Sequence, residues 1–273
     1  MDPGRVTHPR RGPRESYLGR RNPVIKLAAL LAVIGALTFV FDPWTPALFL
    51  LLALAVGRGL GGVSVGKLLR ILAVFLPALV GVLLANVLFN RLNAGAAPLF
   101  TLGPVAVTAP ALRTAGSLGF RMLAFAAFSA VFVLTTDPSE LLLSLAQQLR
   151  VNYRIAYGTM AGYRMVPLLR SEFETIRSAH RARGLEEPRG LLGPWRQLVR
   201  YAIPLLAGAV RRGTRVALAM DARAFGAFSS RTYRRRLTVG AGDWAFLMGT
   251  VLVAAGFIAA LTAAGITRFG VGP

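Results

Sequence analysis

Apolar residues dominate five stretches of this chain, and charged residues are concentrated between and beside them. A helix rises about 1.5 Å per residue, so roughly 20 apolar residues cross ~30 Å of hydrocarbon. The third and fifth stretches reach that length by themselves, whereas the second is short and its ends are the least well defined. The pattern predicts an all-α polytopic membrane protein with about five transmembrane helices, at Leu27–Phe41, Trp44–Val56, Ile71–Phe89, Met122–Thr136 and Trp244–Ile266.

Two basic residues and one proline-containing segment affect how these stretches cross the bilayer. The first and fourth stretches are long enough if the side chains of Lys26 and Arg121 extend to the interface. Arg121, near the outer end of the fourth stretch, has two interpretations that stay open: it reaches the outer headgroups, or it touches a partner in the membrane. Residues 90–117 are apolar but contain three prolines, which predicts an external interfacial loop rather than a sixth span.

Lys and Arg residues beside the stretches indicate which side faces the cytoplasm. Seven of them lie in residues 1–26 and three lie between the second and third stretches, against four on the opposite side. Residues 137–243 carry eighteen more. The N-terminus and residues 137–243 are therefore predicted to be cytoplasmic. No small-residue cleavage site follows the first stretch, which is predicted to be a retained helix.

These predictions divide the chain into a basic cytoplasmic tail at 1–23, a membrane domain of about four spans at 24–136, a cytoplasmic segment at 137–243 and a last span with a short tail at 244–273. In the cytoplasmic segment, apolar residues recur at helical spacing among the arginines, which predicts long amphipathic helices. Asp137 followed by Pro138 is typical of a helix start. We expect helices over Ser139–Leu149, up to Arg183-Gly184, and from about Trp195 to Phe225, with a break at 186–190.

Composition adds a competing interpretation. The 273 residues are 55% hydrophobic, yet 32 Lys and Arg against 11 Asp and Glu give a net charge of +21. Such a charge is typical of nucleic-acid binders, so one alternative is a membrane-anchored protein whose basic segment binds nucleic acid or anionic lipid. The residues for that patch would be Arg231, Arg234, Arg235 and Arg236. Because retention of positive charge on the cytoplasmic side explains the same arginines, no nucleic-acid partner is expected.

The chain offers little catalytic chemistry. It has no cysteine and only two histidines, His8 and His180, so no metal site is expected in it. Residues 57–62 match the dinucleotide-binding glycine pattern formally, but no strand precedes them, and Gly66-Lys67 is not followed by Ser or Thr as a P-loop requires. No Ser or Thr has the His and Asp partners of a nucleophile. We therefore predict no enzymatic or cofactor site.

Two similar helix ends remain as candidates for function, Ala182-Arg183-Gly184 and Ala222-Arg223-Ala224, which lie 40 residues apart. The structural interpretation is that arginine offsets the helix dipole and glycine supplies a left-handed cap. The functional interpretation is that small alanines admit another chain, whose carbonyls or carboxylates the arginine then binds. Gly158 and Gly162 add a flat face where helices can cross, or simply pack in a core.

These residues resemble the paired Ala-Arg-Gly motifs of the transmembrane T component of energy-coupling factor transporters, which are prokaryotic ABC-type importers of vitamins and transition-metal ions. Further matches extend over roughly residues 16–266 and keep the order expected for that family. They include Asn22-Pro23, Leu102-Gly103-Pro104, Val107-Thr108, Glu140-Leu141, Tyr163-Arg164 and Val166-Pro167.

The resemblance implies that the long cytoplasmic helices are coupling helices, and that Arg183 and Arg223 anchor one helix end in each of two ABC ATPase subunits. ATP and Mg²⁺ would be bound by those subunits, and a small membrane S component would bind the substrate. The chain would be a non-catalytic, multi-pass subunit in the lipid bilayer of the plasma membrane. Ala224 stands where the family usually has glycine, so the cap geometry at the second end is the open point.

A third alternative is an ordinary ABC permease that lines its own substrate path and needs no small membrane partner. In the coupling interpretation, specificity belongs to the S component. The sequence of this chain then does not name the cargo.

Overall fold

The protein is described here by a computed structural model covering residues 16–89, 98–102, 105–149, 151–185, 190, 193–228, 233 and 235–265. Over these residues it is helical apart from one short hairpin, which confirms the predicted all-α class. The helices are α1 Pro23–Thr38, α2 Trp44–Gly59, α3 Val65–Ala73, α4 Leu76–Phe89, α5 Ala109–Thr135, α6 Pro138–Gln148, α7 Tyr153–Ala182, α8 Gly193–Asp221 and α9 Ala241–Ala263. The strands are β1 Pro98–Leu102 and β2 Val105–Thr108.

The chain forms two compact units. The first contains the residues up to Ser144 together with those from Leu237 onward, and the second is Leu145–Arg236. In the described part of the chain, α5 and α9 are each long and apolar enough to cross a membrane, and α3 with α4 passes the same test as a bent pair. The two remaining apolar helices, α1 and α2, have 16 residues each. Each of the five predicted stretches thus contains helix, and the number that cross the bilayer stays a prediction.

The third predicted span is not one continuous helix. The axes of α3 and α4 differ by 50°. Between the two helices, the Phe75 N–H donates to the Leu72 carbonyl three residues back, at 2.9 Å. Pro77 explains the break, because proline has no N–H for the carbonyl of Ala73 and its ring disfavours helical geometry in the preceding residue.

The segment predicted as an external loop, 90–117, also differs. Antiparallel β1 and β2 form a hairpin in which Leu102 pairs with Val105, and α5 begins directly afterwards at Ala109. Pro110 does not interrupt that helix, because it occupies the first turn, where a missing N–H costs nothing. The Thr108 hydroxyl caps the helix by accepting from the Ala111 N–H. Residues 90–97, 103 and 104 lie outside the described residues.

Two basic side chains bind inside the first unit instead of extending away from it. Because α5 begins earlier than predicted, Arg121 lies in the middle of that helix; it donates to the Val40 carbonyl, and its Cζ lies 5.2 Å from the Phe41 ring centre. Lys26 is only 5% exposed, and its Nζ donates to the Thr135 carbonyl at 2.9 Å. Thr135 ends α5, so Lys26 satisfies a carbonyl that has no partner within its own helix.

The core of the first unit lies where α1, α2, α5 and α9 meet. Phe49 of α2 is fully buried there among small and branched side chains, and its ring meets Phe257 of α9 edge to face, with 5.3 Å between centres. The N-terminus of α9 is fixed to that of α1, because Asp243 Oδ1 accepts the Asn22 N–H at 3.1 Å.

The predicted start of the next helix is confirmed. Asp137 Oδ1 accepts the Ser139 N–H at 2.8 Å, and α6 runs from Pro138 to Gln148.

Candidate functional site

Helices α7 and α8 run in opposite directions and form the long hairpin of the second unit. Tyr201, which is 2% exposed, lies against His180 and Phe173, with ring centres 5.2 and 5.4 Å away. Arg212, eleven residues further along α8, pairs with Glu172 at 3.0 Å. Later residues of α8 thus contact earlier residues of α7, which makes the pair antiparallel. His180 is partly buried in this contact.

Helix α7 ends at the first candidate site, Ala182-Arg183-Gly184, as predicted. The Leu185 N–H donates to the His180 carbonyl at 3.1 Å, and the Gly184 N–H donates to the Arg181 carbonyl at 2.9 Å. These two bonds define a Schellman cap, whose closing residue must take a left-handed conformation. Gly184 does so with φ +74°, and Arg183 is the residue at the helix boundary.

The second candidate end has the same cap. The Phe225 N–H donates to the Met220 carbonyl at 3.0 Å, and the Ala224 N–H donates to the Asp221 carbonyl at 2.9 Å. Ala224 takes the left-handed conformation with φ +53°. The alanine therefore keeps the cap geometry, which the sequence had left open. The third predicted helix ends at Asp221 and not at Phe225, because this cap closes it there.

The two ends correspond residue by residue at a spacing of 40, since Arg183 matches Arg223 and Gly184 matches Ala224. Both arginines are exposed, and neither side chain has a hydrogen-bond or ion-pair partner among the described residues. Ala182 and Ala222 beside them are exposed as well. Each turn thus presents an exposed guanidinium next to a methyl group.

The two turns lie at opposite ends of the hairpin. Arg183 directly follows the last residue of α7, whereas Phe225, two residues after Arg223, contacts Tyr153, the first residue of α7. Because α7 has 30 residues, the two arginines are about 45 Å apart at 1.5 Å per residue. The two arginines are thus presented at two well-separated places.

Contacts at the second turn form a cluster that sequence reasoning missed. The Phe225 ring centre lies 5.8 Å from that of Tyr153 and 6.3 Å from that of Tyr157. The Arg154 guanidinium donates to the Gly226 carbonyl, and the Tyr153 hydroxyl donates to that of Phe228 at 2.8 Å. These partners are about 70 residues apart in sequence, so local patterns carry no signal for them.

The remaining candidates lie elsewhere. Gly158 and Gly162 are exposed on α7, and a Cβ at either position would have nothing within 4 Å. The structure does not bring α8 to them, and a crossing at this face stays a prediction. Of the basic patch, Arg231 and Arg234 lie outside the described residues. The carbonyl of Arg235 accepts a hydrogen bond from the Gln147 side chain at 2.8 Å.

Comparison with known proteins places the whole arrangement in one family. Residues 14–234 match the family described as cobalt transport protein, CbiQ. The energy-coupling factor transporter transmembrane protein EcfT of Heliobacterium modesticaldum is 33% identical over 165 residues, which cover 58% of this chain and 61% of that protein. EcfT of Lactococcus lactis subsp. cremoris is 26% identical over 250 residues, 88% of this chain and 92% of that protein.

A further relative is considerably longer. A Bifidobacterium longum protein named as an ABC transporter ATP-binding protein is 28% identical over 258 residues, and this chain spans only 32% of its length.

Apolar membrane helices, a long hairpin that ends in two arginine turns and these matches together define a membrane transport component. The chain belongs to the CbiQ cobalt transport protein family and is the transmembrane T component of an energy-coupling factor transporter.

Proposed function

We propose that this chain couples two ABC ATPase subunits to a substrate-binding S component, and that Arg183 and Arg223 each anchor one ATPase subunit. ATP and Mg²⁺ are bound by the ATPases, and this chain is non-catalytic. The observation that carries the proposal is the pair of matching caps at opposite ends of one hairpin, each with an exposed arginine.

The chemistry of each turn suits a protein groove. A guanidinium presents five donors in a planar fork; it binds a carboxylate with two parallel hydrogen bonds and can also donate to backbone carbonyls. The neighbouring alanine lets the partner backbone approach closely. The spacing of about 45 Å supports two separate sites, and hence one ATPase subunit at each.

The apolar face of α8 is the surface that we assign to the S component. This face consists of Trp195, Val199, Ile203, Leu206 and Val210, each 50–73% exposed. At 100° per residue it lies opposite Tyr201 and Arg212, which contact α7. An exposed apolar stripe of this size is typical of a site that binds another protein or membrane segment.

The cargo class is proposed from the family to which the chain belongs. We propose uptake of a vitamin or a transition-metal ion across a prokaryotic plasma membrane. The S component then selects the substrate, so exchanging that partner changes the cargo without any change in this chain.

Reversing charge at both turns tests the ATPase contacts. In Arg183→Glu/Arg223→Glu, co-purification of the ATPases and substrate uptake are expected to fall to background, because each carboxylate would repel the acceptors that bound a guanidinium. Arg170→Glu/Arg211→Glu is the matched control, since it makes the same charge change at two exposed positions inside α7 and α8. Unchanged co-purification and uptake in the first variant would overturn the proposal.

The S-component surface has its own test. Ile203→Asp/Leu206→Asp is expected to release the small membrane protein from the purified complex, because two carboxylates would have to be desolvated in an apolar contact. The ATPases should remain bound. Loss of the ATPases together with the small protein would point to a folding defect, and full retention of both would exclude this face as the contact.

A further inference from the structure

The second arginine turn is held by another helix of the same chain. Its residue Phe225 lies edge to face with Tyr153 and with Tyr157, on the first two turns of α7. Two hydrogen bonds, from Arg154 and from the Tyr153 hydroxyl, fix the backbone carbonyls that follow Phe225. The turn is therefore restrained through the Phe225 ring and through the carbonyls of Gly226 and Phe228.

Gly226 allows the arginine to approach this closely. It has φ +91°, and a Cβ at this position would lie 3.1 Å from Arg154 Nε and 3.2 Å from Cζ. The guanidinium thus packs directly against the backbone of the turn.

The first turn is positioned differently. Leu185, which corresponds to Phe225, is 43% exposed. The described contact between this end and another helix lies further back, where the His180 ring is 5.2 Å from Tyr201. Among the described residues, Arg183 is thus directed by the end of its own helix, whose last turn contacts Tyr201, whereas Arg223 is directed by its own helix and by contacts of α7 with the turn itself.

We propose that Tyr153, Arg154 and Tyr157 are positioning residues that hold the second turn in place and so direct Arg223 toward its partner. The two arginine contacts are consequently inequivalent, because only the second depends on the start of α7. The part of this inference that concerns the partner rests on the proposed ATPase contact; the part that concerns the turn does not.

Hydrogen exchange of the full-length protein in lipid nanodiscs tests the positioning directly. In Arg154→Ala and Tyr157→Leu, the Ala224 and Phe225 amides should exchange about two- to ten-fold faster, the effect of losing one ordinary tertiary contact. The Gly184 and Leu185 amides should keep their rates. Arg154→Lys, which retains a cationic donor, should restore part of the protection, and Arg170→Ala is the control on the same helix.

ATPase binding then separates this inference from the proposed function. Arg154→Ala is expected to weaken binding of the ATPases about two- to ten-fold while the protein still inserts and its first turn stays protected. In a protein that already carries Arg223→Glu, the same change should have no further effect on binding, because the directed side chain is gone.

Each outcome decides a separate point. Unchanged exchange at Ala224 and Phe225 would overturn the positioning role. Faster exchange with unchanged ATPase binding would show that the turn is held for another reason. If Arg223→Glu itself binds ATPases normally, the proposed function fails while the exchange result still decides whether α7 holds the turn.

Discussion

A residue in the left-handed conformation closes both arginine turns, and the two turns use different residues for it. Gly184 adopts φ +74° without a steric cost, whereas Ala224 at φ +53° places its Cβ close to the following carbonyl. The hydrogen bonds of the two caps are nevertheless the same. At the second turn, Phe225 and Gly226 also contact α7, and we infer that these contacts help to hold the alanine in this conformation.

Exchanging the two residues tests this explanation. Ala224→Gly is expected to stabilise the second cap by about 1 kcal/mol, and Gly184→Ala to destabilise the first by a similar amount. Protection of the Phe225 and Leu185 amides in hydrogen exchange measures the two effects. Equal responses of opposite sign support the matching geometry, and a loss of protection in Ala224→Gly would contradict it.

At the scale of elements, one glycine of the α7–α8 hairpin lies where a carboxylate crosses. A Cβ at Gly208 would collide with the Glu172 carboxylate, which pairs with Arg212 at 3.0 Å. Both partners are partly exposed, so the pair contributes at most about 1 kcal/mol. Gly213, five residues further along α8, has no heavy atom within 4 Å of a Cβ built on it and serves as the control.

Replacement by alanine separates the two glycines. Gly213→Ala should raise the stability of the helix by roughly 0.5–1 kcal/mol, because alanine loses less backbone freedom on folding. The gain in stability for Gly208→Ala should be about 1 kcal/mol smaller than that for Gly213→Ala, because Glu172 must move away from Arg212. Thermal unfolding of the purified protein measures the difference. Identical gains at both positions would show that the carboxylate adjusts without loss.

At the scale of the whole molecule, the separation of the two turns predicts independent contacts. Sites more than about 10 Å apart without shared partners give additive free energies, and these turns are about 45 Å apart. Arg183→Ala and Arg223→Ala should therefore each weaken ATPase binding, and the double variant should lose the sum within about 0.5 kcal/mol. Binding titrations of the three variants measure this. A double variant no weaker than either single one would mean that both arginines serve one contact.

Local sequence signals predicted much of the fold. The helical class, the start of α6 at Asp137 and the end of α7 at Arg183 follow from periodicity and capping chemistry, which act over a few residues. Two errors concern prolines, because Pro77 was not considered and Pro110 was counted as a breaker without regard to its position. Pro77 breaks an apolar stretch that looked continuous, and Pro110 sits harmlessly in a first turn.

By itself, the sequence determined that the chain is a helical membrane protein, that its long basic segment forms amphipathic helices, and that two arginines lie at similar helix ends. Only the tertiary structure decided that these ends sit at opposite extremes of one hairpin, that Ala224 keeps the glycine-type cap, and that Tyr153, Arg154 and Tyr157 hold the second turn. The physical reason is distance along the chain. Caps and periodicity involve neighbouring residues, whereas the contacts of α7 with the second turn join residues about 70 apart. Only the packing of α7 against α8 brings those residues together.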